Sequence, residues 1–501
     1  MKAFNEDYKH LQADQKCLST LPLEFIEKYN CIIYCKYEKG YLLLVNGNFE
    51  YFHINKLSYF IKDEIYLSCI RQNDFDTIIN LIKINDSRTT AVNKFQANND
   101  FENNNLLKEN NSIFYQAEIE NAPIVKIVES IIEEGITLKS SDIHFEPYDQ
   151  GIKVKFRIDG KLCEKTSLPL SALNEISTRI KVLSNLDITK KLIPQDGKLK
   201  YHINNFDYDI RVSILPGIYG ERIALRILDM NKGYFTIDEL GFNEDTYSNI
   251  LELMKSSSGL ILVVGPTGSG KSTTLQSFLY DNLKRNENII TVEDPVEYTI
   301  EGITQVQINE EAGLDFATCL RTILRQDPNI IMIGEIRDLE TAKIACRASI
   351  TGHLVYSTLH TNTSIGVINR LKDMNIEPFL LVDSLRGIIS QRLIRTLCPY
   401  CKTKSLTNDS EMKKLNITEQ KVIYRSCGCA QCNMTGYKGR RGIYEVIIID
   451  DDFKKLISDN ATPAKYIKLI EKKKFQTMFE NGKELILEGI TTLEELESTI
   501  N

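Results

Sequence analysis

The sequence predicts an α/β protein built around a parallel-sheet, phosphate-binding domain, and three observations carry that reading. The apolar run Leu260–Val264 reads as a buried strand; it breaks at Gly265 into a glycine-rich turn and resumes as a helical segment, Ser272–Leu279. Strand and helix patterns then alternate from about 236 to 395, as the connections of a parallel sheet require. Two Cys-x-x-Cys pairs follow, Cys398/Cys401 and Cys429/Cys432.

The turn matches G-x-x-x-x-G-K-[ST] through Gly265, Gly270, Lys271 and Ser272. Gly265, Gly268 and Gly270 can take backbone angles closed to other residues, so their N–H groups can converge on an anion. With Pro266, Thr267, Ser269 and Thr273 they form the expected nucleotide cradle, and the helix N-terminus behind them adds a favourable dipole. Lys271 is expected to reach the β- and γ-phosphates, and the Ser272 hydroxyl to ligate Mg²⁺. A chance glycine turn would not need a strand before it and a helix after it.

A chain of 501 residues is too long for one core and suggests about three domains. Hydrophobic content of 42% and charged content of 26% are those of an ordinary globular protein. The net charge of −7 argues against a general affinity for nucleic acid. No apolar run approaches the roughly 18 residues that span a bilayer. The opening MKAFNEDYKHLQADQ has no apolar segment of a secretory signal. Twelve cysteines without export are better read as thiols or metal ligands than as disulfides. The expectation is a cytoplasmic protein whose membrane contact comes through partners.

Taken in order, residues 1–90 mix short strands (Cys31–Tyr34, Tyr41–Val45) with a helix around Asp74–Ile84, a small α/β module. Cys31 and Cys35 lack a second pair and read as packing residues. Residues 91–114 are dense in asparagine and lack apolar periodicity, the composition of a flexible linker. From 115 to 232 a second α/β domain is expected. It opens with a helix near Pro123, continues into a strand in which Ile152, Val154, Phe156 and Ile158 alternate with charged residues, and turns at Asp159-Gly160. A helix at Ser171–Leu183, an IPQDGKL turn and strands Tyr208–Ile214 and Arg222–Leu228 complete it.

Residues 236–501 are expected to form the third domain. Asn288–Val292 is a strand ending in Glu293-Asp294-Pro295, Ile330–Ile333 delivers Gly334-Glu335, and Leu354–Tyr356 leads to His360. Polar groups past the C-terminal ends of parallel strands lie in the crevice where ligands bind. Phosphoryl transfer needs a metal ligand, a group orienting water and positive charge on the γ-phosphate. Glu335, Glu293, His360 and nearby arginines are the candidates. In the zinc element expected at about 396–440, two Cys-x-x-Cys pairs supply the four thiolates of a closed tetrahedral site, which holds structure and leaves no position for catalysis. Cys427 competes with Cys429 for one place. The tail from Asp451 reads as amphipathic helices.

The motifs GPTGSGKSTTL, TVEDPVEY, LRTILRQDPNIIMIGEIRDLETA and TGHLVYSTLHTN resemble the Walker A, Asp box, Walker B and His box of the secretion ATPases that drive type II secretion, type IV pilus assembly and DNA uptake. SDIHFEP, FRIDG and PQDGK are similar to the domain that precedes the motor in that family, and the cysteines followed by TGYKGRRGIYEV resemble its assembly branch. The resemblance implies a RecA-type parallel-sheet P-loop ATPase domain, preceded by smaller α/β domains and carrying a C-terminal zinc element of four cysteines. It implies an ATP-hydrolysing homohexamer with Mg²⁺ and Zn²⁺, docked through residues 1–90 on an inner-membrane platform protein. Lys271, Ser272, Glu335 and Glu293 match its catalytic positions. Arg211 and Arg226 from the preceding domain, and Arg321 and Arg325 from the motor, match positions reaching the γ-phosphate or a subunit interface. Two alternatives stand beside it: a nucleotide-gated scaffold that barely hydrolyses, opposed by the presence of both carboxylates, and a hexameric nucleic-acid translocase, opposed by the acidic charge.

Overall fold

The computed structural model describes residues 123–500 except 204–205, 230–234, 362 and 474, and before them 2–4, 8, 11, 13–46, 49, 57, 60–61, 63–72, 74–80, 82–84 and 88. The linker expected at 91–114 lies outside the described residues. The chain divides into two compact units, Met1–Asn231 with Gly428–Met434, and Lys232–Cys427 with Thr435–Asn501.

The first unit holds two sheets. Strands β1 (Lys2–Ala3), β2 (Cys31–Tyr37), β3 (Gly40–Val45) and β4 (Glu64–Cys69) pair in the order β1-β4-β3-β2. Cys31 and Cys35 are buried among apolar side chains, and burial pushes both thiols up to about 12, the behaviour of packing residues.

The second sheet comprises β5 (Asp142–Tyr148), β6 (Gly151–Ile158), β7 (Lys161–Leu168), β8 (Gln195–Ile203), β9 (Phe206–Gly217) and β10 (Gly220–Asp229), ordered β7-β6-β5-β10-β9-β8. All its pairings are antiparallel. Alternation decides which face is buried: Ile152, Val154 and Phe156 join Ile210, Val212, Ile223 and Leu225 in a core with Ile127, Val128 and Ile131 of the helix Pro123–Thr137 and Ile176 and Ile180 of the helix Leu173–Leu183. The PQDGK segment departs from expectation, because β8 begins at Gln195 instead of turning there. Gln195 accepts from the Asp187 amide at 3.0 Å and donates to the carbonyls of Asp187 and Lys190. Those bonds close the preceding loop, so the chain leaves it directly into the ladder with β9.

The second unit is organised on a seven-stranded sheet. Its strands are β11 (Gly259–Val264), β12 (Ile289–Glu293), β13 (Thr304–Gln307), β14 (Ile330–Ile333), β15 (Leu354–Leu359), β16 (Leu385–Leu397) and β19 (Tyr437–Ile448), ordered β13-β12-β14-β15-β11-β16-β19. Every pairing is parallel except β16 with β19, which the sequence did not foreshadow. Every residue of β11, β12, β14 and β15 is buried, as a parallel sheet covered on both faces requires. One face sets Leu260, Leu262, Val264, Ile331 and Val355 in one core; the other sets Ile261, Val263, Met332 and Tyr356 in a second. A two-stranded sheet, β17 (Thr403–Leu406) with β18 (Val422–Arg425), lies between the cysteine pairs in sequence. The tail forms helices Asp451–Ser458, Pro463–Lys473, Met478–Leu487 and Leu493–Ile500, as expected. No helix among the described residues is long and apolar enough to cross a membrane.

Candidate nucleotide site

The phosphate loop leaves β11 at Gly265 and enters the helix Lys271–Leu283. Gly265, Gly268 and Gly270 have φ of +150°, +80° and +91°, which explains the glycine at each. Space constrains two of them as well: a Cβ on Gly265 would fall 2.4 Å from the Gln391 carbonyl oxygen, and one on Gly270 2.7 Å from Gln391 Nε2. The loop is therefore seated against β16. The Ser269 hydroxyl is buried and meets no hydrogen-bond partner in the structure, the state of a group inside an anion cradle. Lys271 is buried, and its Nζ donates to the carbonyls of Gly265 at 2.8 Å and Pro266 at 3.0 Å. Burial lowers its pKa against the opposing pull of Glu335.

Around this loop opens a cleft of about 400 Å³. Thr267, Gly268, Gly270, Lys271, Ser272 and Thr273 line one wall, and Glu293, Asp294, Gly334, Glu335, Thr358 and His360 another. Gly265, Pro266 and Ser269 are not among the residues lining the cleft. Thus the tips of β12, β14 and β15 converge on the loop after β11, as the pattern of strand ends anticipated.

The two glutamates sit in opposite environments. Glu293 is 6% exposed; its Oε1 accepts from Thr291 Oγ1 at 2.6 Å and from Gln305 Nε2 at 3.0 Å. Burial raises its pKa, outweighing those two hydrogen bonds. For Glu335 burial also pulls upward, but Arg337 and His360 outweigh it and hold the carboxyl below the usual glutamate range. Arg337 Nη2 donates to Glu335 Oε1, and His360 Nε2 lies 3.1 Å from Oε2. Arg337 Nη1 also lies 3.4 Å from Asp294 Oδ2, so one guanidinium bridges two strand tips. Reading by strand tips missed Arg337 because it stands two residues past the tip, where the chain turns toward Asp338, the N-cap of the next helix. Arg440 and Leu393, which also line the cleft, were missed because they belong to the antiparallel pair β16–β19.

The expected arginines are placed elsewhere. Arg321 pairs with Glu340, and Arg325 donates to the Arg321 carbonyl at 2.7 Å; neither lines the cleft. Arg211 and Arg226 belong to the first unit, directly opposite each other on β9 and β10, with Arg226 Nε 3.1 Å from Asp142 Oδ1.

Cys398, Cys401, Cys429 and Cys432 are buried, and their sulfurs all lie within 4.8 Å of one another. They form no disulfide. Four converging buried thiols fit a tetrahedral zinc ion. Cys427 is exposed and outside the cluster, so Cys429 takes the place the two contested.

Comparison with known proteins agrees with this geometry. The profile of the family described as type II/IV secretion system protein matches residues 117–498. The chain belongs to that family. It is 44% identical over 380 residues to the type II secretion system ATPase E of Vibrio cholerae, covering 75% of each protein. It is 41% identical over 383 residues to the type IV pilus assembly ATPase PilB of Thermus thermophilus, 76% of this chain and 43% of that one. Among solved structures, the pilus retraction motor PilT with bound ADP aligns at a TM-score of 0.50 and 29% identity, over 74% of this chain and 96% of that one. The Legionella pneumophila ATPase DotB aligns at 0.57 and 21% identity, over 74% and 94%, and so shares the fold.

Proposed function

We propose that this chain is an ATP-hydrolysing motor that drives assembly of a pilus or pseudopilus in type II secretion, type IV pilus or DNA-uptake machinery. The observation that carries it is the convergence of Lys271, Ser272, Glu293 and Glu335 on one cleft. It agrees with relatives named as secretion and pilus assembly ATPases.

In this reading the loop amides and Lys271 bind the β- and γ-phosphates, so Lys271 must leave the Gly265 and Pro266 carbonyls for the ligand. Ser272, with Glu335 charged behind it, would hold Mg²⁺, which neutralises charge on the phosphate oxygens when bound. Glu293, buried and inclined to take up a proton, orients the attacking water and accepts its proton. His360 and Arg337 keep Glu335 ionised and fixed. Arg211 and Arg226, with Arg321 and Arg325, supply positive charge to the γ-phosphate once domains or neighbouring subunits close on it. Residues 1–90 serve as a docking domain for an inner-membrane platform protein, 91–114 as a linker, 115–232 as the domain that lends arginines, and 236–501 as the motor. The four cysteines hold a structural Zn²⁺. The protein works as a cytoplasmic homohexamer, peripheral at the membrane through partners, with no direct nucleic-acid contact.

Phosphate release from Mg-ATP at increasing protein concentration tests this reading. Specific activity should rise as subunits assemble, and Arg226→Ala should lose turnover while keeping ATP. Mixing Arg226→Ala with Lys271→Ala should recover part of the activity, because one intact site forms between unlike subunits. A dilute monomer working at the full rate would contradict the shared site.

A further inference from the structure

One residue of β16 meets the phosphate loop at both ends and the helix behind it. A Cβ on Gly265 would run into the Gln391 carbonyl oxygen, and one on Gly270 would stand 2.7 Å from Gln391 Nε2. Thr274, in the first turn of the helix Lys271–Leu283, donates its hydroxyl to Gln391 Oε1 at 2.7 Å. Gln391 is not among the residues lining the cleft. It can therefore act on a bound phosphate only through the loop.

The strand holds this glutamine still. Gln391 is 2% exposed and Thr274 fully buried. β16 pairs with β11 on one side and with β19 on the other, where Gln391 stands opposite Tyr444. The Tyr444 hydroxyl donates to the Leu240 carbonyl at 2.9 Å. Neighbouring residues of a strand point to opposite faces, and on the other face Ser390 Oγ lies 2.7 Å from Ser364 Oγ.

The two ends of the carboxamide do different work. A threonine hydroxyl inside a helix commonly turns to the carbonyl four residues back, which bends the helix. For Thr274 that carbonyl belongs to Gly270, the last glycine of the loop, and it already accepts from the Thr274 amide at 3.1 Å. Gln391 Oε1 draws the hydroxyl to the strand instead, leaving the first turn straight. Nε2, an uncharged donor, stands against Gly270, so no negative charge backs the anion cradle. A methionine would match the length without the acceptor. A glutamate would keep the acceptor and place a charge behind the loop.

We propose that Gln391 is a positioning residue of the phosphate cradle: its carboxamide holds Thr274 through Oε1 and backs Gly270 through Nε2, so the loop amides already converge when the anion arrives. The inference rests on the reading of this cleft as a nucleotide site.

Calorimetric titration of the full chain with pyrophosphate and ADP, at a temperature where melting curves show every variant folded, tests this. Gln391→Met keeps the backbone contact with Gly265 and removes only the carboxamide. It should weaken pyrophosphate and ADP alike by about 10-fold, the worth of one buried hydrogen bond. Thr274→Val should cost about 5- to 10-fold. The double variant should bind within about twofold of Gln391→Met, because both changes break the same bond. Gln391→Glu should bind pyrophosphate more weakly than Gln391→Met, although it restores the acceptor for Thr274, because its carboxylate opposes the anion. A merely structural Gln391 would lower the melting temperature and leave the affinity of the folded chain unchanged, which would overturn the proposal. Losses that multiply in the double variant would overturn it too, by showing that the two residues do not act through their bond. Wild-type protein that bound neither ligand would instead defeat the nucleotide reading beneath it.

Discussion

Substituting Gly265 with alanine tests how far the loop's shape is dictated by its contact with β16. At φ +150° a non-glycine residue costs about 1–3 kcal/mol in backbone strain alone. The added Cβ would also stand 2.4 Å from the Gln391 carbonyl oxygen and 2.7 Å from Ser269 Oγ. The Ser269 hydroxyl can rotate away, but Gln391 belongs to a strand paired with β11 on one side and β19 on the other. The loop must therefore move and not the strand, and its amides leave the positions that converge on the anion. With strain and displacement at about 3 kcal/mol together, ADP affinity should fall about 100-fold. Gly268 is the internal control. It has φ +80° and nothing within 4 Å of its Cβ position, so alanine there costs only the left-handed penalty of about 1–2 kcal/mol. Its ADP affinity should fall by about 5- to 30-fold, read by the same titration. Equal losses at the two positions, or a larger loss at Gly268, would refute the argument that the β16 contact shapes the loop.

Three further outcomes follow from the site. Glu293→Gln should cut turnover about 10²-fold or more, measured as phosphate release, because the proton acceptor is gone. Its stability should move the other way. Burial raises the Glu293 pKa, so its favourable share is full below pH 4.5, its ordinary value, and is lost as pH rises through the folded value. The Gln variant should therefore melt higher than wild type at pH 8, with the gap closing toward pH 4.5; a variant that melts lower at pH 8 would show that the bonds from Thr291 and Gln305 outweigh burial for the ionised carboxylate. The cysteine cluster should hold about one zinc per chain by elemental analysis, and Cys401→Ser should release it and lower the melting temperature, whereas Cys427→Ser should do neither. Full metal content in Cys401→Ser would remove that cysteine from the ligand set. Glu335→Gln should retain ATP binding while turnover collapses; binding lost as badly as turnover would make Glu335 a structural residue.

The parts of this fold legible in the sequence are those with strong local signals. β11 and its loop combine an all-buried apolar run with glycines whose positive φ the fold then requires. Glu293, Glu335 and His360 were found because a parallel sheet places strand ends along one edge. Arg337 and Arg440 were not, since their positions depend on a turn two residues past a tip and on which strand closes the sheet edge. Pairing of β16 with β19 spans from Gly387 to Ile448, and no local pattern announces a contact across that separation. Gln195 shows the same limit: its segment reads as a turn until its side-chain bonds to Asp187 and Lys190 are seen. Cys429 prevailed over Cys427 by position in three dimensions, which spacing alone left open.

The most direct test of the central claim is steady-state phosphate release from Mg-ATP by the wild-type chain and by Lys271→Ala. Lys271 supplies the one lysine charge lining the cleft among the described residues, and its Nζ now rests on the loop carbonyls it would leave for the phosphates. The wild type should turn over ATP in the presence of Mg²⁺, and the variant should show no turnover above background. Undiminished hydrolysis by Lys271→Ala would place the nucleotide chemistry outside this cleft.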